Sequence, residues 1–201
     1  MERDDAIRRL RELDGHELRP LADAYGVTVW CGARINKGWA GHVLERHLGM
    51  PINSSQHPDF GSWELKLVPL KRLPSGAIRV KETMAITMID PIHVLETSFE
   101  RSHLFAKLRR VVVCARLFES QTEVCSRLER VTTFDMSDPK TIDQVREDYE
   151  LVRETIRHLG FGALSGRMGV LVQPRTKGPG HGSTSRAFYA RVDFVQHMLG
   201  L

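Results

Sequence analysis

At 201 residues, 41% of them hydrophobic and 27% charged, the chain is long enough to bury a sizeable core and reads as one domain. No apolar run approaches the roughly 20 residues a membrane span needs, and the charged, helix-patterned start MERDDAIRRLREL is not a secretory signal, which points to a cytoplasmic protein. A net charge of +4 with a pI near 9.1 is compatible with a polyanionic partner without establishing one.

In chain order, residues 4–13 read as a short amphipathic helix ended by Gly15, and a second helix follows over 17–25. Residues 38–48, GWAGHVLERHL, predict a third, closed by Gly49. Leu44 and Leu48 form its apolar stripe, and Glu45 borders that stripe. Residues 62–70 predict a strand, 78–89 a second strand, and 71–76 (KRLPSG) the hairpin between them. Thr97-x-x-Glu100 reads as a capping box opening a helix through Leu108, with Leu104, Phe105 and Leu108 inward. The apolar run 111–115 then reads as a buried strand. Strand, strand, helix, strand indicates an α/β core with a mixed sheet. Asp138-Pro139 starts the longest helix, which Gly160 stops after His158, and Ile142, Val145, Tyr149, Val152 and Ile156 recur along it at helical spacing. A strand at 170–172, a loop over 174–186, a strand around 188–192 and a terminal helix from Asp193 complete the chain.

The most informative segment is HPDFGSWELKLVPL. Alternate residues of a strand share a face, so Glu64 and Lys66 project together, while Trp63, Leu65 and Leu67 point the other way into a core. Asp59, in the preceding turn, can lean over the same point. Two carboxylates suit a hard divalent cation such as magnesium, and a neighbouring lysine can orient water or neutralise charge on a phosphorane. That is equipment for metal-dependent phosphodiester hydrolysis, although Glu-x-Lys alone also fits an ion pair on a solvated strand. The three scattered cysteines, Cys31, Cys114 and Cys125, form no CxxC pair, and the nine histidines lack zinc-ligand spacing, which leaves any metal to carboxylates.

Cations cluster in two segments: Arg101, Lys107, Arg109, Arg110 and Arg116, and later Arg167, Arg175, Lys177, Arg186 and Arg191. Acid gathers in the helix after Asp138, which suggests a basic cleft with an acidic back. In the loop PRTKGPGHGSTSR, Gly178, Gly180 and Gly182 allow close backbone approach to a ligand. Arg175, Lys177, His181 and Arg186 supply charge for a nucleic-acid groove, and a surface hairpin fits the composition equally well.

Taken together, LDGHELRPLADAYGVTV, NKGWAGHVLERHLG, PDF…ELKLVPL, ETSFERSHLFAKLRR, QPRTKG and RAFYAR resemble, in this order and over nearly the whole chain, the MutH family of mismatch-repair and restriction endonucleases. The resemblance implies an α/β fold with a restriction-endonuclease-like core, its mixed sheet flanked by helices and its two lobes set around a DNA-binding cleft. It implies that Asp59, Glu64 and Lys66 are the catalytic triad of the PD-(D/E)xK nucleases, with Asp59 and Glu64 holding Mg2+. Glu45 matches an additional acidic residue, and Lys107 a lysine assisting at the scissile phosphate. Gln173, Arg175, Lys177 and Arg186 fall in the base-reading element, and Tyr189 matches an aromatic residue that senses adenine. The implied partners are double-stranded DNA, usually at GATC, and a MutL-type repair protein. Gln173 stands where a relative has arginine, which leaves the recognised sequence open. A type II restriction enzyme cutting both strands and a catalytically silent DNA-binding relative remain the alternatives.

Overall fold

The computed structural model describes residues 1–50, 58–120, 122–178 and 184–201. Helices α1 (Arg3–Arg11) and α2 (Leu18–Ala24) precede a small hairpin, β1 (Trp30–Cys31) with β2 (Arg34–Ile35), and helix α3 (Trp39–His47). Strands β3 (Glu64–Arg72), β4 (Ile78–Val80) and β5 (Met84–Met88) lead to α4 (Pro91–Glu96), a 3-10 turn at Phe99–Arg101 and α5 (His103–Leu108). Then come β6 (Arg110–Leu117), β7 (Leu128–Asp135), the long α6 (Pro139–Leu159), β8 (Val172–Thr176), β9 (Arg186–Ala190) and α7 (Val192–Leu199). No helix among the described residues is long and apolar enough to cross a membrane.

Two sheets organise these elements. The larger runs β4-β3-β6-β7, with β3 parallel to β6 and the other pairs antiparallel, so it is the mixed sheet expected. The smaller, β5-β9-β8, is antiparallel throughout. Strand β6 is apolar at successive positions because both its faces are covered. Val111, Val113 and Ala115 join the cluster built with α4–α7, and Val112 and Cys114 join that built with α1–α3. The same alternation governs β3. Trp63, Leu65 and Leu67 pack toward α1–α3, which leaves Glu64 and Lys66 together on the opposite face.

Several sequence expectations are corrected. Residues 78–89 do not form one strand. The charged pair Lys81-Glu82 separates β4, which completes the hairpin with β3, from β5, which crosses to the second sheet and pairs with β9. Thr97 closes α4, a helix the sequence reading omitted although Asp90-Pro91 marks its start: the Asp90 carboxylate accepts the Ile92 and His93 amides. Ser102 instead caps α5, accepting the Phe105 amide at 3.1 Å. Strand β7 was also omitted. Its buried positions, Leu128, Val131 and Phe134, recur every third residue, because a bulge follows Leu128 and because Val131 and Phe134 are buried on opposite faces, which hides a strand's two-residue period. Residues 174–176 belong to β8 and not to the loop, while Gly180, His181 and Gly182 lie outside the described residues.

Helix α6 sets the position of β8. Its Asp148 is buried, and the carboxylate accepts the amides of Val170, Leu171 and Val172 at 2.7, 2.8 and 2.7 Å. The tight approach depends on Gly169, whose φ is +75° and whose absent Cβ would lie 1.9 Å from the Val172 carbonyl oxygen. Gly169→Ala therefore destabilises the fold by about 3 kcal/mol or more, read as a drop in the denaturant midpoint; an unchanged midpoint would refute this anchoring.

Candidate active site

The acidic cluster lies at the start of β3, where its parallel neighbour β6 also begins: Glu64 is in register with Val111, four residues after Lys107 at the end of α5. Glu64 is fully buried. Its Oε1 accepts from Lys66 Nζ at 2.5 Å and from Lys107 Nζ at 3.0 Å, and its Oε2 accepts the Asp59 amide at 3.0 Å. Lys107 is itself buried, and its ammonium lies 3.8 Å from Asp59 Oδ1. The short interval between Asp59 and Glu64 is thus spanned by a turn that folds the Asp59 amide onto the Glu64 carboxylate.

Glu45 approaches from α3. Its Oε2 is buried and accepts no hydrogen bond among the described residues. Its carboxyl is pushed up to about 7, first by burial and then by Asp59, with Glu64 adding and Lys66 opposing. Asp59 is likewise raised, by burial and then by Glu64, with Lys66, Lys107 and the Leu65 amide opposing. Burial and mutual repulsion thus favour the protonated form of Glu45 and Asp59, and Glu45 has an orphaned oxygen. Among the described residues no three acidic, histidine or cysteine side chains stand ready as a complete protein cage. Two hard carboxylates completed by water or substrate oxygen are nonetheless a sufficient donor set for a small divalent cation, so these residues fit one.

A sign follows for the metal-free protein. A carboxyl raised on folding binds its proton more tightly in the folded state, so its contribution is present at low pH and is lost as pH rises from about 4.5 to about 7. Glu45→Gln, which cannot ionise, should raise the metal-free melting temperature more at about pH 8 than at about pH 5. Equal shifts at both pH values would show that Glu45 does not carry this repulsion.

Beyond the cluster a cleft separates the two sheets. An open cavity of about 550 Å3 is walled by Lys66 and Pro69 of β3 on one side and by Ala85, Arg175 and Tyr189 of the smaller sheet on the other. Arg175 Nη1 donates to Thr83 Oγ1 at 2.7 Å, and the guanidinium lies 5.6 Å from the Tyr189 ring centre. Burial pushes the Tyr189 phenol up, against the pull of Arg175. Lys177 is exposed, yet its ammonium is held below the ordinary lysine range by partial burial and by repulsion from Lys66 and Lys107. Arg186, half-buried, donates to the Thr184 and Ser185 carbonyls. Gln173 is only 5% exposed in β8, so its amide is turned away from solvent.

The structure therefore gathers Asp59, Glu64, Lys66, Glu45 and Lys107 at one point and sets Arg175 and Tyr189 around the adjoining cleft, with Lys177 following directly on β8. The broader expectation of a basic cleft needs correction. Arg116 is buried and paired with Glu123 and Ser126, and Arg191 is spent on the carbonyls of Gly166, Met168 and Gly169. The acidic back is also muted, because on α6 Asp143, Glu150 and Glu154 pair with Arg146, Arg153 and Arg157. Sequence reasoning missed Thr83 and Lys37, which share the cleft wall, since neither carries a signal before β5 and β8 are known to adjoin.

The chain is similar to known proteins along its sequence. A family model described as DNA mismatch repair enzyme MutH matches residues 48–148, a segment that contains Asp59, Glu64, Lys66 and Lys107. The DNA mismatch repair protein MutH of Vibrio parahaemolyticus is 29% identical over 212 aligned positions, covering 97% of this chain and 92% of that protein. The protein of the same description from Shewanella woodyi is 26% identical, covering 98% and 90%. Among solved structures, a complex of restriction endonuclease MvaI with its cognate DNA superposes with a TM-score of 0.41 at 12% identity, over 90% of this chain and 95% of that one. The class that the family model and the MutH relatives define is that of the DNA endonucleases. Within it, the chain belongs to the MutH family.

Proposed function

We propose that this protein is a magnesium-dependent, sequence-specific endonuclease that acts within a single domain, in the cytoplasm, and nicks DNA at a GATC-like site during mismatch repair. The observation that carries the reading is the convergence of Asp59, Glu64 and Glu45 with Lys66 and Lys107 at the mouth of a cleft lined by Arg175 and Tyr189.

In this reading Asp59 and Glu64 hold the cation, and Glu45 supplies a further acidic group beside them. When bound, magnesium lowers the pKa of a coordinated water and stabilises charge on the phosphoryl oxygens. Lys66, on the cleft side of Glu64, orients the attacking water in line with the scissile bond. Lys107, pinned between Glu64 and Asp59, fixes both carboxylates and lends positive charge to the neighbouring phosphate. Cleavage leaves a 5′-phosphate and a 3′-hydroxyl. Arg175, Lys177 and Arg186 meet the DNA, with Tyr189 against a base of the site. Gln173, two residues before Arg175 in β8, belongs to the same DNA-binding element.

The test is a map of cut sites on plasmid DNA carrying GATC in unmethylated, hemimethylated and fully methylated forms, with and without a MutL-type partner. A repair nickase cuts the unmethylated strand at GATC and is stimulated by the partner. Double-strand cleavage indifferent to the partner would replace this reading with that of a restriction enzyme.

A further inference from the structure

The cleft continues away from the acidic cluster. Its cavity shares Lys37, Pro69 and Glu82 with a pocket of about 230 Å3 whose walls include Lys81 and Phe118. That pocket shares Lys81 and Phe118 with an open depression of about 470 Å3 bordered by Lys71 and Arg72. The three hollows form one groove along β3 from Lys66 to Arg72. At about 3.3 Å per strand residue these steps span roughly 20 Å, the axial rise of about six base pairs.

The side chains along the outer part of this groove are positioned for a polyanion. Lys71 and Arg72 are exposed, and Arg72 reaches the Gly76 carbonyl of its own turn at a long 3.3 Å. Lys81 rests its ammonium 4.2 Å from the Phe118 ring centre, with Glu82 3.8 Å away. Of the nearby carboxylates, Glu123 is already neutralised by Arg116, which leaves Glu82 and Glu119 against the cations of the groove. Lys71 and Arg72 flank the β3–β4 hairpin, and Lys81 follows β4 directly, so a short hairpin holds all three in a fixed relation.

We infer that Lys71, Arg72 and Lys81 form a phosphate-binding track for the duplex flanking the cleavage site, an inference that rests on reading the cleft as the DNA site. The track supplies affinity and register without base information, because its cations meet the sugar–phosphate backbone along the strand direction of β3. Each phosphate neutralised adds about 0.9 to the slope of log K against log salt.

The experiment compares the wild-type protein with the triple variant Lys71→Gln, Arg72→Gln, Lys81→Gln. Binding to a random-sequence duplex of roughly 30 base pairs is measured in EDTA across a salt series, which excludes cleavage. The triple variant should lower the slope by about 2 to 3, and the single variants Lys71→Gln and Arg72→Gln by about 0.9 each. With magnesium, the triple variant should raise KM while leaving kcat at wild-type level. A wild-type slope in the triple variant would overturn the track while leaving the cleft reading intact. A wild-type protein that binds no duplex at all would overturn the cleft reading itself, and the track with it.

Discussion

Glu64→Gln lowers magnesium-dependent DNA cleavage by on the order of 10³-fold, with DNA binding largely retained. The substitution preserves the shape of a fully buried side chain and removes its charge. That charge accepts from Lys66 and from Lys107, and in the proposed mechanism it would also share the cation with Asp59. A glutamine oxygen can still accept from the lysines, but its NH2 cannot accept the Asp59 amide, so one hydrogen bond of the turn is lost along with the negative charge. Two ammonium groups then face a neutral amide. Cleavage measured on supercoiled plasmid, with binding followed separately on a labelled duplex, separates the two effects. Cleavage at wild-type rate would show that the acidic cluster is not the catalytic centre.

Lys66→Met has the second largest expected effect, a loss of about 10²- to 10⁴-fold in cleavage, the range for a group that positions or transfers a proton in the transition state. Its signature differs from that of Glu64→Gln. Lys66 competes with a cation for Glu64 Oε1 and opposes the raised carboxyls of Glu45 and Asp59. Removing it leaves the carboxylates with less positive charge nearby, so divalent-ion affinity should hold or rise while turnover falls. Calorimetric titration of the ion into the variant, paired with the cleavage rate, reads both quantities. Lost turnover together with proportionally weakened ion binding would assign Lys66 to holding the site together and not to the chemistry.

Much of this site was legible in the sequence because it sits on regular elements. The two-residue period of β3 fixed the shared face of Glu64 and Lys66, and the apolar residues between them confirmed which side is core. Lys107 and Glu45 were named through family resemblance, and only the tertiary fold shows why they converge: α5 ends where β6 begins, beside the start of its parallel partner β3. The smaller sheet was far less legible. Strand β5 is severed from β4 by two charged residues, and β8 has only Val172 and the polar Gln173 before a proline that looks like loop. Strand β5 pairs with β9 across about a hundred residues of chain, a separation no local pattern encodes. The cleft between the sheets, with Thr83 holding Arg175, was therefore invisible until both sheets were in place. Strand β7 was lost for a different reason, since a bulge after Leu128 and the burial of Val131 and Phe134 on opposite faces replaced the expected alternation with a step of three.

The central claim is that a divalent cation held at the mouth of this cleft is required for the endonuclease to cut. Its most direct test incubates the purified protein with supercoiled plasmid in EDTA, then restores activity by adding magnesium in excess. Nicked or linear plasmid should appear only after the addition, at a rate that saturates with magnesium. Cleavage at the same rate in EDTA would contradict the account.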